Sequence, residues 1–195
     1  MLDRLGGEKA RATSIVRYAP GAHFPCHQHP GGEEILVLSG TFSEGDAHYP
    51  AGWYIRNPPG SSHQPASQEG AVIFVKLWQM PQRERQSVRI NTRDKARWVV
   101  RDGRESCLLF FDQVEHVSIE RIPEGGRACL GPVEGAEMLI LEGSLQEGAQ
   151  AYPRGSWMRL PPGEYRDLVA GNTGASVYLK TGRFFAQAAQ RDVAC

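Results

Sequence analysis

Short apolar runs bounded by glycine and proline recur along the whole chain. Residues 34–38, 71–77, 137–141 and 176–180 are rich in Val, Ile, Leu and aromatic side chains, a composition typical of β-strands set between turns. No amphipathic helical period longer than about ten residues stands out before the C-terminus, where residues 184–195 are compatible with a short terminal helix. The pattern predicts an all-β protein built from many short strands.

The pattern also repeats. The run ILVLSG at 35–40 returns as MLILEG at 138–143, an offset of 103 positions. At the same offset Tyr-Pro recurs, Gly52 returns as Gly155, and the Pro-Pro-Gly turn at 58–60 returns at 161–163. We interpret the chain as two copies of one unit, about 12–80 and 116–182. The predicted domains are 1–97, which includes a polar connector at 81–97, and 98–195.

Composition narrows the functional classes. Gly 22 and Pro 13 among 195 residues fit frequent turning, while 41% hydrophobic residues are enough for a sizeable core. Lys+Arg 22 balances Asp+Glu 22, so neither a nucleic acid nor a membrane surface is an expected partner. The charged connector is accordingly interpreted as solvated chain. With no secretory signal or CxxC pair, we expect a cytoplasmic protein with reduced thiols.

Three histidines and one glutamate form the candidate chemical centre. His27 and His29 are two residues apart, so on a strand both imidazoles project from one face. A Pro-Gly-Gly break then lets Glu33 return toward them, and His63 follows a second turn on another strand. Three imidazoles and a carboxylate suit zinc, iron, manganese, nickel or copper. An isolated H-x-H is weak evidence by itself, and the other histidines are interpreted as surface residues: His23, His48 and His116.

Two longer motifs surround these residues. Residues 21–40 (GAHFPCHQHPGGEEILVLSG) resemble the first cupin motif, G-x5-H-x-H-x3-E-x6-G. Residues 52–63 (GWYIRNPPGSSH) resemble the second, G-x5-P-x-G-x2-H, with Ser67 where asparagine is expected. The sequence from 33 to 63 is similar to that of the cupin-like domain of ChrR-type anti-sigma factors, which holds zinc. The resemblance implies two tandem cupin barrels of the double-stranded β-helix or jelly-roll type.

The same resemblance assigns metal ligands residue by residue. They are His27, His29, Glu33 and His63, with zinc as the expected ion and iron, manganese or nickel also accepted by such a set. Glu34 is one step out of phase and is expected to be a strand residue behind the ligands.

The second copy has lost this set. At the offset of 103 the four positions hold Leu130, Pro132, Ala136 and Arg166, which predicts a degenerate cupin without metal there. Arg166 is expected either to bind an anionic ligand or to form a structural ion pair with neighbouring carboxylates. Cys26 and Cys129 are equivalent to each other and are interpreted as structural thiols.

Two functional hypotheses follow. The first is a regulatory or stress-sensing module that resembles the ChrR domain and responds to an oxidant or small ligand. About eleven residues precede the first copy, without a His/Cys ligand set for the helical zinc domain of that family, so sigma-factor binding by this chain alone is not expected. The alternative is a non-haem metal-dependent dioxygenase acting on a small organic substrate. Six aromatic residues would then line its pocket or simply fill the barrel core: Phe24, Phe42, Trp53, Tyr54, Phe74 and Trp78.

A non-catalytic scaffold is the third and weakest hypothesis. A homodimer through an exposed strand edge is compatible with each of the three.

Overall fold

The computed structural model describes residues 1–7, 10–129 and 131–183. It divides into two compact units, 1–93 and 94–195. Apart from one short 3-10 turn, the regular structure of the described residues consists of antiparallel β-strands, which confirms the predicted all-β fold class. Within these ranges no helix is both long and apolar enough to cross a membrane.

The first unit is one curled sheet with a small two-stranded ladder beside it. The main path runs in the order β1-β2-β10-β5-β7-β11, with β6, β9 and β3 attached to it, and β4 pairs with β8. Its strands are β1 Asp3–Leu5, β2 Arg11–Tyr18, β3 Ala22–His23, β4 His27–His29, β5 Glu33–Glu44, β6 Ala47–Pro50, β7 Trp53–Asn57, β8 Ser61–His63, β9 Pro65–Ser67, β10 Ala71–Leu77 and β11 Val88–Asn91.

The second unit repeats this plan. Its sheet runs in the order β12-β13-β14-β18-β15-β16, with β17 paired to β15. A 3-10 turn at Lys95–Arg97 precedes the strands β12 Trp98–Arg101, β13 Arg104–Phe111, β14 Glu115–Ile122, β15 Ala136–Glu147, β16 Gln150–Pro153, β17 Trp157–Leu160 and β18 Leu168–Gly182.

The repeat extends to backbone geometry. Gly40 and its counterpart Gly143 share a φ of +68°, and a Cβ at either position would overlap the carbonyl oxygen of Gly70 or Gly174 respectively. Only glycine accepts both the left-handed conformation and the close approach. The same close glycine contact therefore joins β5 to the residue before β10 in the first unit and β15 to β18 in the second.

Equivalent side chains also fill the two cores. Ile35, Val37 and Phe42 pack together in the first unit, and the second unit places Met138, Ile140 and Leu145 at the offset of 103.

A buried charge pattern is repeated beside these cores. Glu34 lies 3.4 Å from Arg56 in the first unit, and Glu137 lies 3.6 Å from Arg159 in the second. All four side chains are largely or fully withdrawn from solvent. Glu34 is thus a strand residue paired with an arginine. This shared ion pair explains why the second unit keeps a glutamate at the equivalent position, Glu137, although the candidate ligand Glu33 is replaced there by Ala136.

The connector prediction was wrong in part. Residues 88–91 are strand β11, which pairs with β7 through Val88 opposite Arg56 and Asn91 opposite Trp53. Alternating burial of Val88 and Ile90 attaches this strand to the first unit. The predicted C-terminal helix, 184–195, lies outside the described residues.

Candidate metal centre

The ladder of β4 and β8 brings the three histidines together. His27 lies directly opposite His63, while His29 lies opposite Ser61. The Nε2 atoms of His29 and His63 are 2.8 Å apart. The Nδ1 atom of His27 lies 2.8 Å from the carbonyl oxygen of Pro25, so an N–H there donates to that carbonyl and Nε2 is left with the lone pair. One nitrogen from each ring lies within 4.8 Å of the other two.

Glu33 joins the cluster from the first position of β5. Its Oε2 atom lies 3.6 Å from His29 Nε2 and 3.5 Å from His63 Nε2. The Pro-Gly-Gly break makes this possible, because Gly32 adopts a φ of +74° and its N–H donates to the carbonyl of His29 at 3.0 Å. Asn57, opposite Glu33 in the β5–β7 register, donates to the same Oε2 at 3.2 Å.

These distances fit a divalent metal ion. Two atoms bound to one ion at about 2.1 Å lie roughly 3.0 Å apart at octahedral angles and 3.4 Å at tetrahedral angles. The Nε2 and Oε2 atoms of His29, His63 and Glu33 are 2.8–3.6 Å apart. In the metal-free protein the 2.8 Å separation of the two Nε2 atoms is a hydrogen-bond distance, and loss of the shared proton leaves both lone pairs for a cation. The donor set therefore suits a borderline metal.

A carboxylate and a guanidinium support His63 from behind. Glu44 Oε1 accepts from His63 Nδ1 at 2.5 Å and from Asn57 Nδ2 at 3.0 Å. Arg89 on β11 donates through Nη2 to Glu44 Oε2 at 2.9 Å and to Asn57 Oδ1 at 2.6 Å. The hydrogen bond to Glu44 holds the His63 proton on Nδ1 and leaves Nε2 as the ligand atom. Sequence reasoning missed all three supporting residues, although the alternation of apolar Val88 and Ile90 around Arg89 signalled a strand.

Burial and neighbouring charges shift the acidities of the cluster. Desolvation, followed by repulsion from His63 and His27, lowers the pKa of His29 to about 4. Desolvation also raises the pKa of Glu33 to about 7, against the opposing effects of His63 and Asn57. For His63, burial alone would lower the pKa, but the Glu44 hydrogen bond and the Glu33 charge raise it. Near neutral pH, His29 is therefore a neutral imidazole ready to coordinate.

An aromatic cluster lies next to His63. Tyr18 makes edge contacts with Phe24 and Phe42, with ring centroids 5.2 and 5.8 Å apart, and Phe42 lies 6.2 Å from the His63 ring. Burial and the nearby Glu33 and Glu44 carboxyls raise the pKa of Tyr18 to about 12, so its phenol stays neutral. Phe42 is fully buried whereas Phe24 is 44% exposed. The cluster thus extends from the core to the surface beside the histidines.

The remaining aromatic candidates divide between core and intermediate positions. Tyr54 and Phe74 are buried, whereas Trp53 and Trp78 are half-buried.

The second unit carries different chemistry at the equivalent positions. Ala136 is buried at the start of β15, Pro132 is exposed, and Leu130 lies outside the described residues. Arg166 is largely exposed and its Nε lies 2.7 Å from Glu164 Oε1. These positions offer no imidazole and no buried carboxylate among the described residues. The two equivalent cysteines also differ, since Cys26 is exposed and Cys129 is buried.

Comparisons with known proteins agree with this description. Residues 1–81 match the family model of the ChrR cupin-like domain. The structure resembles that of a candidate dioxygenase from Nostoc punctiforme, with a TM-score of 0.72, 16% identity, and coverage of 90% of this chain and 70% of that chain. It also resembles salicylate 1,2-dioxygenase from Pseudaminobacter salicylatoxidans, with a TM-score of 0.67, 11% identity, and coverage of 91% and 72%. A search of curated proteins finds no significant match.

The class of protein follows from fold and family model together. The curled antiparallel sheets and the structural neighbours identify a cupin fold. The chain shares the cupin fold of these structural neighbours, and its first 81 residues are similar to the ChrR cupin-like domain. The candidate metal centre lies within those residues.

Proposed function

We propose that the first unit binds one divalent metal ion, zinc by preference, through His27, His29, Glu33 and His63. The observation that carries the proposal is the convergence of His29 Nε2, His63 Nε2 and Glu33 Oε2 within 2.8–3.6 Å of one another. The second unit, which lacks equivalent ligands among its described residues, takes no metal at this position.

We further propose that the metal-loaded unit is a regulatory module that responds to an oxidant or a small ligand. The match of residues 1–81 to the ChrR cupin-like domain supports this assignment. When bound, the ion supplies a Lewis-acidic centre for an anionic or oxygen-bearing ligand. His27 is exposed whereas Glu33 is buried, so His27 marks the side from which a ligand enters and Glu33 closes the other.

Metal analysis of the purified protein tests the assignment. His27→Ala and Glu33→Ala should each lower metal occupancy, since each removes one ligand. His23→Ala is the matched control, because His23 is an exposed histidine of the same unit whose Nδ1 lies 3.3 Å from the carbonyl oxygen of Gly21. Wild-type metal content in both ligand variants would refute the ligand set.

A dioxygenase is the second candidate, favoured by the Tyr18, Phe24 and Phe42 cluster beside His63. The structural neighbours described as dioxygenases lend it further support. Iron-loaded protein should then consume oxygen in the presence of phenolic acids or diketones, and His63→Ala should abolish that uptake. A four-coordinate zinc site with no oxygen uptake would exclude this candidate and favour the regulatory module.

A further inference from the structure

We propose that the second unit contains a binding site for a small carboxylic acid with a hydrocarbon body. A cavity of about 450 Å³ opens on one face of β12, β13, β14 and β18, a size within the usual range for small-molecule sites. Every residue that lines it belongs to the second unit. The site is independent of the metal proposed for the first unit.

Strand register places the lining residues on one face. In the β12–β13 ladder Val99 lies opposite Ser106 and Arg101 lies opposite Arg104, and in the next ladder Ser106 lies opposite Glu120. Directly opposed residues of an antiparallel pair project to the same side. The five side chains therefore form a continuous surface across three strands.

The floor of the cavity is apolar. Leu179 belongs to the core cluster of the second unit, and Val133 packs against that cluster. At the opening, Val99 and Leu108 remain 63% and 51% exposed. A ligand with a hydrocarbon body would cover these exposed side chains and continue the core outward, which gives it a hydrophobic driving force.

The rim is cationic. Arg97, Arg101 and Arg104 line the cavity. Arg97 makes only a loose ion pair, 4.0 Å from Asp94 with both side chains about half exposed, and Arg101 is exposed. Glu120 is the carboxyl group that lines the same space. Three guanidinium groups against one carboxyl group favour an anion, and the forked donors of arginine match a carboxylate.

Arg104 and Glu120 are already engaged, which leaves the outer arginines for a ligand. Arg104 donates to the backbone carbonyls of Arg127 and Ala128, and it lies 3.9 Å from Glu120. Glu120 accepts from Ser106 Oγ at 2.7 Å and from Ser118 Oγ at 2.5 Å. Arg97 and Arg101 would therefore hold the carboxylate at the rim, with the hydrocarbon body directed toward Leu179.

The first unit has no counterpart of this surface among its described strands. The strand β13 corresponds to β1, which is three residues long and lies at the end of its sheet path. Strand β12, which carries Val99 and Arg101, is an addition outside that edge. The outer wall of the cavity, carried by β12 and by the longer β13, thus has no equivalent in the first unit, and it belongs to the copy whose metal ligands are replaced.

Calorimetric titration of the full chain tests the site. Benzoate and hexanoate are the probes. Benzyl alcohol and hexanol are their uncharged counterparts, and acetate is a carboxylate without a large hydrocarbon group. Two exposed positions are changed, Arg101→Gln to remove a guanidinium and Val99→Asp to place a like charge beside the ligand. Arg154→Gln, an exposed arginine of the same unit outside the cavity, is the matched control, and His63→Ala reports on binding at the metal centre.

The proposal expects saturable binding of at least one of the two acids at one site per chain. Affinity should fall by on the order of tenfold in Arg101→Gln and Val99→Asp, and it should be unchanged in Arg154→Gln and His63→Ala. Absence of saturable binding by both acids at millimolar concentration would overturn the proposal. So would equal binding of acids and alcohols, or loss of binding in His63→Ala with retention in Arg101→Gln, which would place the acid at the metal.

Discussion

Glu44→Gln is expected to weaken metal binding by the first unit while leaving its fold intact. The Glu44 carboxylate accepts from His63 Nδ1 at 2.5 Å, Asn57 Nδ2 at 3.0 Å and Arg89 Nη2 at 2.9 Å. A glutamine of the same length carries one acceptor oxygen and one amide NH₂. Whichever way the amide is turned, its NH₂ faces a donor, either the imidazole N–H or the guanidinium.

The size of the effect follows from that geometry. If the amide oxygen stays on His63, the contact with Arg89 is lost, and if it turns to Arg89, the His63 tautomer is no longer held. Removing a group that orients a metal-binding histidine typically lowers metal affinity by about 10–100-fold. This corresponds to about 1.4–2.7 kcal/mol in binding free energy.

The assay is a zinc titration in competition with a chelator of known affinity. Glu69→Gln is the matched control, because Glu69 is an exposed glutamate of the same unit that accepts from Thr41 Oγ1. Thermal unfolding of the metal-free proteins should give similar midpoints for wild type and both variants. Zinc affinity of Glu44→Gln within twofold of the control would refute the orienting role of Glu44.

Three further predictions concern stability. Burial raises the pKa of Glu33 from 4.5 to about 7, so the folded metal-free protein binds this proton more tightly than the unfolded chain. The resulting contribution to folding stability is complete below pH 4.5 and is lost as pH rises through 7. The free energy of unfolding of Glu33→Gln, compared with that of metal-free wild type, should therefore increase by up to about 3 kcal/mol between these pH values. Urea unfolding measured at several pH values would contradict this if the two proteins showed the same pH dependence. Gly45→Ala should destabilise the protein by roughly 1 kcal/mol, because Gly45 has a positive φ but open space around an added Cβ. Gly40→Ala should cost more, because its φ is also positive and its added Cβ would overlap the backbone of Gly70. Equal shifts in melting temperature for the two variants would argue against that contact. In the wild type Lys180 Nζ lies 2.7 Å from Glu115 Oε2, and both side chains are buried. Lys180→Met should lower the free energy of unfolding by about 3–5 kcal/mol, because it removes this cation from the buried carboxylate. A loss below 1 kcal/mol in denaturant unfolding would refute the prediction.

Local sequence rules account for the strands, the repeat and the main cluster. Alternating burial, turn glycines and the spacing of His27, His29 and Glu33 depend on residues that are neighbours in the chain. The return of Gly40 as Gly143 is visible in the sequence as well, although its cause is a tertiary contact with the carbonyl of Gly70 or Gly174. The order of residues along the chain is therefore enough to predict these features.

The supporting residues and the second cavity depend on strand register. Arg89 reaches Glu44 across 45 positions of sequence, and it does so from a segment whose charge predicted a solvated connector. Likewise, Arg101 and Glu120 share one face only because three strands pair in a particular register. A register shift of one residue would turn these side chains to the opposite face, and no composition or local spacing specifies that choice. The sequence alone determined the strand-and-turn plan and the histidine cluster, whereas long-range pairing decided which side chains support the metal centre and which line the cavity of the second unit.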